Sequence, residues 1–242
     1  MEQALVGKVA VVMGADTPLG EQAARVLSER GAAVVLIGSR QAAVAGLADA
    51  IGRLGGRAVS AVAHLAERGA AAVCVERALA SFGRMDALVL ASSAWDDVEE
   101  QRGCCDEVLQ DWARGTCALV RETLPELRQS HGAVIGLWPA ALPGDPVSGA
   151  HDRWLRAFLR GVAVAEAKYA VRANGLCVTE LAQDESRTSG EVVVGATWNG
   201  AADDLELLVD LVTAERSGQV TGALLSTRTT EVPPAVDEAR AA

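Results

Sequence analysis

Gly14 and Gly20 bracket a turn in VVMGADTPLG (11–20), where a short apolar run gives way to a helical pattern. A strand, a tight turn and a helix start in that order place a pyrophosphate on a helix N-terminus, where unpaired N–H groups and the helix dipole attract anions. Two residues oppose that chemistry. Pro18 adds a ring and deletes an N–H donor inside the cradle, and Asp16 would turn a carboxylate toward the phosphates or an adenosine ribose phosphate across a low-dielectric cleft. Thr17 and Pro18 read instead as an N-cap and a first helical residue, the start of an ordinary helix. For proton transfer the chain offers one tyrosine, Tyr169, two lysines, Lys8 and Lys168, and a histidine beside a carboxylate, His151 and Asp152.

The elements that must position these residues follow a regular plan. Apolar runs at 8–14, 32–38, 57–63, 86–92, 132–138, 170–178 and 221–226 alternate with stretches whose apolar residues recur every three or four positions. Seven buried strands joined by crossover helices predict a single α/β domain, a Rossmann-like doubly wound parallel sheet. One helix is expected over 106–125. The domain is expected to span 1–230, and 231–242, EVPPAVDEARAA with one proline pair, a polar C-terminal tail. The acidic stretch 95–105 and the polar stretch 183–191 are expected as loops over a site.

A net charge of -10 argues against nucleic acid or an anionic membrane as partner, since either needs a basic face. No apolar stretch reaches membrane-spanning length. The five cysteines, Cys74, Cys104, Cys105, Cys117 and Cys177, have neither disulfide-framework nor metal-ligand spacing. With no signal peptide ahead of the first strand, they read as small buried hydrophobes in a reducing cytoplasm, and no metal is expected.

Along nearly its whole length the chain resembles the short-chain dehydrogenase/reductase family. The opening turn, AVRANGL (170–176) and SGQVTGALLS (217–226) carry the resemblance, the last two being similar to the family's GIRVNAV and VTGQ segments. The resemblance implies a nicotinamide cofactor held by TGxxxGxG. Here that motif reads Met13 to Gly20, with Gly14, Asp16, Pro18 and Gly20 forming a vestigial loop in which Pro18 replaces the middle glycine. Gly38, Ser39 and Arg40 end the second strand with no acid for an adenosine ribose; Arg40 could meet a 2′-phosphate but reads as a lone surface arginine. His64 stands where the family places an Asp against the adenine. Leu90, Ala91, Ser92 and Ser93 replace NNAG, and Val178 and Thr179 replace a PG pair.

The implied catalytic set is a Tyr with its pKa lowered by a Lys four residues on, a Ser that orients the carbonyl, and an Asn that holds a water relay. No YxxxK can be drawn: Ala173 follows Tyr169 at that spacing. Matching the helix pattern puts Ser148 in the Tyr position and Asp152 in the Lys position. Shifting the gap brings in Gly149, Ala150 or His151, and Arg153, Trp154 or Leu155. The Ser position becomes Trp138 or Pro139, and the Asn position Trp112, tryptophans expected to plug the cleft.

With every functional position replaced and the core pattern intact, the resemblance implies a non-catalytic subunit, with no cofactor of its own. Its partner would be an active, NAD-binding short-chain dehydrogenase paralogue, in a heterotetramer assembled through the helices at 106–125 and 152–167 and through the last strand and tail. Trp112, Trp154 and Phe158 are candidate interface anchors. A hydroxyacyl-CoA is the implied substrate class. The other reading is a cleft reused for cofactor-independent isomerisation, dehydration or cyclisation, with His151 or Asp152 as base.

Overall fold

The computed structural model describes residues 3–92, 105–139, 146–178, 202–213 and 221–226. Seven strands form one parallel sheet: β1 (Val9–Met13), β2 (Ala33–Gly38), β3 (Arg57–Val62), β4 (Ala87–Ala91), β5 (Ala133–Pro139), β6 (Arg172–Val178) and β7 (Leu224–Ser226). Their order across the sheet is β3-β2-β1-β4-β5-β6-β7. Every residue of β1, β2, β4, β5 and β6 is buried, because both sheet faces are covered. That is why these strands read as unbroken apolar runs rather than alternating ones. The edge strand β3 is partly exposed and carries Arg57 and Ser60. All seven expected strands are present, with ends that differ by one to three residues; β5 runs one residue further than expected, to Pro139.

Helices α1 (Pro18–Glu29), α2 (Gln41–Arg53) and α6 (Ala202–Thr213) cover one face; α3 (Ala70–Phe82), α4 (Cys105–Ser130) and α5 (Pro146–Glu166) cover the other. Alternate residues of one strand feed the two cores: Val12 lies in the first with Leu27 and Ile51, Val11 in the second with Leu119 and Leu159. The helix expected to end at Pro125 runs on to Ser130. Pro125 faces solvent, while Leu127 is fully buried and Arg128 makes a two-pronged ion pair with Glu166 of α5, at 2.7 and 2.8 Å. These tertiary contacts outweigh the hydrogen bond that proline removes.

Two charged anchors close the N-terminal ends of the strands. The Asp86 carboxylate accepts the Val9 N–H at 3.0 Å and pairs with Lys8 at 3.2 Å and Arg84 at 2.6 Å. Burial pushes its pKa up, but these partners together hold it below the usual carboxylate range. Buried Arg172, at the start of β6, donates to the carbonyls of Leu211 and Val212, the orphan acceptors at the end of α6. Cys74 and Cys177 are buried as expected, and burial pushes the Cys74 thiol up to about 11. Cys117 is exposed on the outer face of α4, against expectation, because its position falls on the solvent side of that helix. Cys104, the loop at 183–191, the tail at 231–242, and the stretch at 95–105 up to the start of α4 lie outside the described residues.

Candidate functional site

Strands β1 and β4 are neighbours whose connections leave toward opposite edges of the sheet, which makes a crevice at their C-terminal ends, the usual ligand position in this architecture. A cleft of about 430 Å³ lies there. Its floor is Met13, Gly14, Ala91 and Ser92; one end is Asp16, Gly38, Ser39 and Arg40; its walls are the loop from Ala63 to Glu67 and the start of α4 with Asp111 and Trp112.

Two of the opening glycines are demanded by the protein's own backbone. Gly14 has φ +73°, and a Cβ there would lie 2.2 Å from the Ala91 carbonyl oxygen. A Cβ on Gly20 would lie 2.0 Å from the Gly14 carbonyl oxygen. Between them, Thr17 caps α1: its hydroxyl accepts the Gly20 N–H at 3.2 Å and donates to the Gly14 carbonyl at 2.8 Å, with Pro18 in the first turn. Asp16 turns away from α1. Its carboxylate accepts from the Ser39 N–H at 2.9 Å and the Arg40 N–H at 3.0 Å, and Arg40 Nε lies 3.7 Å away. Asp16 thus faces the end of β2 rather than the pyrophosphate position at the start of α1, and Arg40 is a paired rather than a lone arginine.

The positions matched to the lost catalytic set do not converge on one atom. Ser148 and His151 lie on the buried side of α5. His151 Nε2 is 2.6 Å from Ser92 Oγ at the end of β4, and the Trp112 ring sits against the imidazole, centroids 4.3 Å apart. Burial holds the His151 pKa down at about 4, against the opposing pull of the Asp152 charge, so the imidazole is neutral at pH 7. Asp152 points elsewhere: both its oxygens accept from Arg156 Nε, at 2.8 and 2.9 Å, and one accepts the Trp138 indole N–H at 2.8 Å. Burial would raise its pKa, but these donors keep the carboxyl below its usual range.

Trp138 is fully buried and its ring lies over Gly136 and Gly175, where a Cβ would come within 3.2 and 2.6 Å of it. It fills the space between β5, β6 and α5 and does not line the cleft. Pro139 ends β5, in register with Val178. Of the two tryptophans expected to plug the cleft, only Trp112 forms a wall of it. Its indole N–H is, among the described residues, the one buried side-chain polar atom without a hydrogen-bond partner. Trp154 meets Trp112 edge-on at 5.1 Å and stacks on Phe158 at 4.8 Å, the three rings half-buried between α4 and α5.

Sequence reasoning found no partner for His151; Ser92 supplies one. Both stand at positions aligned with the family's functional ones, the only signal that could have linked them. The Asp152–Arg156 pair was readable from its i,i+4 spacing.

Tested against a nicotinamide dinucleotide, the residues present do not fit. Pro18 offers no N–H, the Gly20 N–H is taken by Thr17, and the Asp16 carboxylate occupies the donors at the end of β2. No helix among the described residues is long and apolar enough to cross a membrane, and no cluster of metal-ligating side chains occurs among them.

Fold and cleft define a doubly wound α/β domain of the dinucleotide-binding kind. A family model described as short chain dehydrogenase matches residues 8–188. The chain belongs to that family, and it has the fold of the family's oxidoreductases. It is 39% identical over 89 residues to the cis-4-hydroxycyclohexanecarboxylate dehydrogenase of Sinomonas cyclohexanicum, a match covering 37% of this chain and 35% of that one. A 39% match over 93 residues to an uncharacterized oxidoreductase of Methylorubrum extorquens likewise covers 38% of each chain. Oxidoreductase UcpA of Salmonella typhimurium is 25% identical, over 90% of this chain and 92% of its own length. Among solved structures, the apo-form glucose dehydrogenase of Caenorhabditis elegans superposes with a TM-score of 0.74 at 18% identity, covering 92% of this chain and 96% of that one.

The buried histidine makes stability depend on pH in a defined window. The unfolded chain protonates His151 near 6.5 and the folded chain only near 4, so between these values the unfolded state binds more protons. Stability from this group is complete above pH 6.5 and falls as pH drops toward 4, by roughly 3 kcal/mol. The depressed carboxylates Asp86 and Asp152 act below their ordinary value of 3.8, and Glu166 below 4.5, so only Glu166 reaches into the foot of this window. Urea midpoints at pH 7.5 and 4.5 should differ clearly in the parent chain and much less in H151Q; equal pH dependence in both would place the effect elsewhere.

Proposed function

We propose that this chain is a non-catalytic subunit that assembles with an active, NAD-dependent short-chain dehydrogenase paralogue into a heterotetrameric dehydrogenase in the cytoplasm. NAD is held by the partner. The substrate class is a hydroxyacyl-CoA such as 2-[hydroxy(phenyl)methyl]succinyl-CoA, and this chain corresponds to the inactive subunit of such a complex.

One observation carries the reading. The only tyrosine and both lysines of the chain lie at the end of the sheet opposite the cleft. Lys8 precedes β1 and pairs with Asp86; Lys168 and Tyr169 precede β6, where the Tyr169 carbonyl accepts from His131 Nδ1 at 3.2 Å and Arg128 and Lys168 sit over its ring. No movement of a side chain could bring the family's Tyr–Lys pair to the cleft. Assembly through α4 and α5 is supported by the outer face of α5, where Ala157, Gly161 and Val164 are exposed and small enough to admit a second helix closely. Trp154 and Phe158, stacked inside the chain, serve that surface by bracing the two helices.

Co-expression with a motif-complete paralogue, co-purification, and NAD titration of each chain alone and together test the proposal. A stable complex, with NAD bound by the paralogue and turnover absent from this chain alone, is the expected outcome. Tight NAD binding by the isolated chain would overturn it.

The 2.6 Å contact between Ser92 and His151 favours a second reading, cofactor-independent isomerisation, dehydration or cyclisation with the neutral imidazole as base. Asp152 is disfavoured as that base, since Arg156 and Trp138 stabilise its charged form. Turnover by the chain alone that H151Q abolishes would select this reading.

A further inference from the structure

We infer that Asp16 is an internal ligand, a carboxylate of the chain's own that occupies the place of an adenine nucleotide's ribose 2′-phosphate and so closes that half of the cleft to a dinucleotide. This rests on the proposal that the chain carries no cofactor, and it names the residue that enforces it. The Ala15 N–H donates to the Ile37 carbonyl at 2.9 Å, which draws the turn after β1 across the end of β2. From there one Asp16 carboxylate oxygen accepts the Ser39 N–H, the Arg40 N–H and, at 3.3 Å, the Ser39 hydroxyl, while the Arg40 guanidinium donates to the Asp16 main-chain carbonyl. Gly38 makes the room, since a Cβ there would lie 2.5 Å from the carboxylate. The Asp16 side chain is only 7% exposed although Ser39 and Arg40 are exposed.

The groups around that carboxylate identify what it displaces. Two main-chain N–H groups and a guanidinium are donors only, and the serine hydroxyl also donates here. A ribose diol needs an acceptor for its own hydroxyl, and one oxygen of the Asp16 carboxylate already takes three donors. A phosphomonoester brings acceptors alone and suits a guanidinium. With Asp16 in place, a phosphate at this position would meet a negative charge at contact distance and find its donors occupied. Arg40 by itself therefore does not make the cleft a nucleotide site.

Binding of adenosine 2′,5′-bisphosphate and of NADPH, measured by calorimetry on the full chain, tests this with the parent, D16S, D16S/R40M and P18G. Thermal unfolding of each variant checks that it is folded. The parent and P18G should bind neither probe, D16S should bind the bisphosphate at least about tenfold more tightly than the parent, and D16S/R40M should lose that gain. Folded D16S without any gain, in a parent that also binds nothing, overturns the role of Asp16 and leaves the non-catalytic reading standing. Equal binding of NADPH by the parent and D16S overturns both.

Discussion

In the assembly proposed above, replacing the catalytic tyrosine of the active partner subunit should lower turnover by about 10²- to 10⁴-fold, whereas S92A and H151Q in this chain should change kcat by less than about twofold. The asymmetry follows from where proton-transfer groups stand. In this chain no tyrosine or lysine reaches the cleft; the histidine that lines it, His64, stands on the loop after β3, and His151, behind Ser92, is buried, neutral and hydrogen-bonded to that serine. A complex assembled from tyrosine-deficient partner and parent chain should be inactive because this chain has no tyrosine–lysine pair to replace the missing one. Steady-state kinetics of the purified complex, with size-exclusion chromatography to verify assembly, give the comparison. A fall of more than about tenfold in kcat for H151Q in an intact complex would assign chemistry to this cleft.

The second large effect concerns folding. Gly20→Ala and Gly14→Ala should each cost more than about 4 kcal/mol, enough to deplete soluble protein, whereas Pro18→Gly should cost only about 1 kcal/mol. An alanine at 20 puts its Cβ 2.0 Å from the Gly14 carbonyl oxygen, and one at 14 meets the Ala91 carbonyl oxygen at 2.2 Å from a left-handed backbone. Carbonyl oxygens of a buried strand and turn cannot withdraw as a side-chain tip can. Position 18 is different: its proline sits in the first turn of α1, where a missing N–H leaves no helical bond unmade. Urea unfolding of the three variants checks the order, and a Gly20→Ala chain as stable as the parent would refute it. The turn thus holds glycine at the two positions its own backbone requires and proline at 18, where the start of α1 tolerates it.

Much of the fold was legible because its determinants are local and repetitive. Runs such as VAVVM and AVVLIG are continuous apolar segments of strand length, and burial on both faces of a parallel sheet leaves them no alternation to show. The cap at Thr17 and Pro18 was equally legible, since it involves neighbours in the chain. The end of α4 was not. Pro125 is a local stop signal, and what carries the helix past it is Leu127 in the core and Glu166 on another helix, 38 residues beyond Arg128. Trp138 illustrates the same limit: its size suggested a plug, but Gly136 and Gly175 on adjacent strands open a notch that draws the ring beneath α5.

From its residues alone, the chain determined a seven-stranded doubly wound sheet and the absence of any tyrosine four residues ahead of a lysine, because strand periodicity, helix caps and the spacing of one residue type from another are properties of the chain itself. Only the tertiary structure decided what took their place: Asp16 on Ser39 and Arg40, Ser92 on His151, and the tyrosine and lysines at the far end of the sheet. Those pairings join strand ends brought together by the crossovers, and in a parallel sheet the residues that meet at one edge are separated in sequence by whole helices.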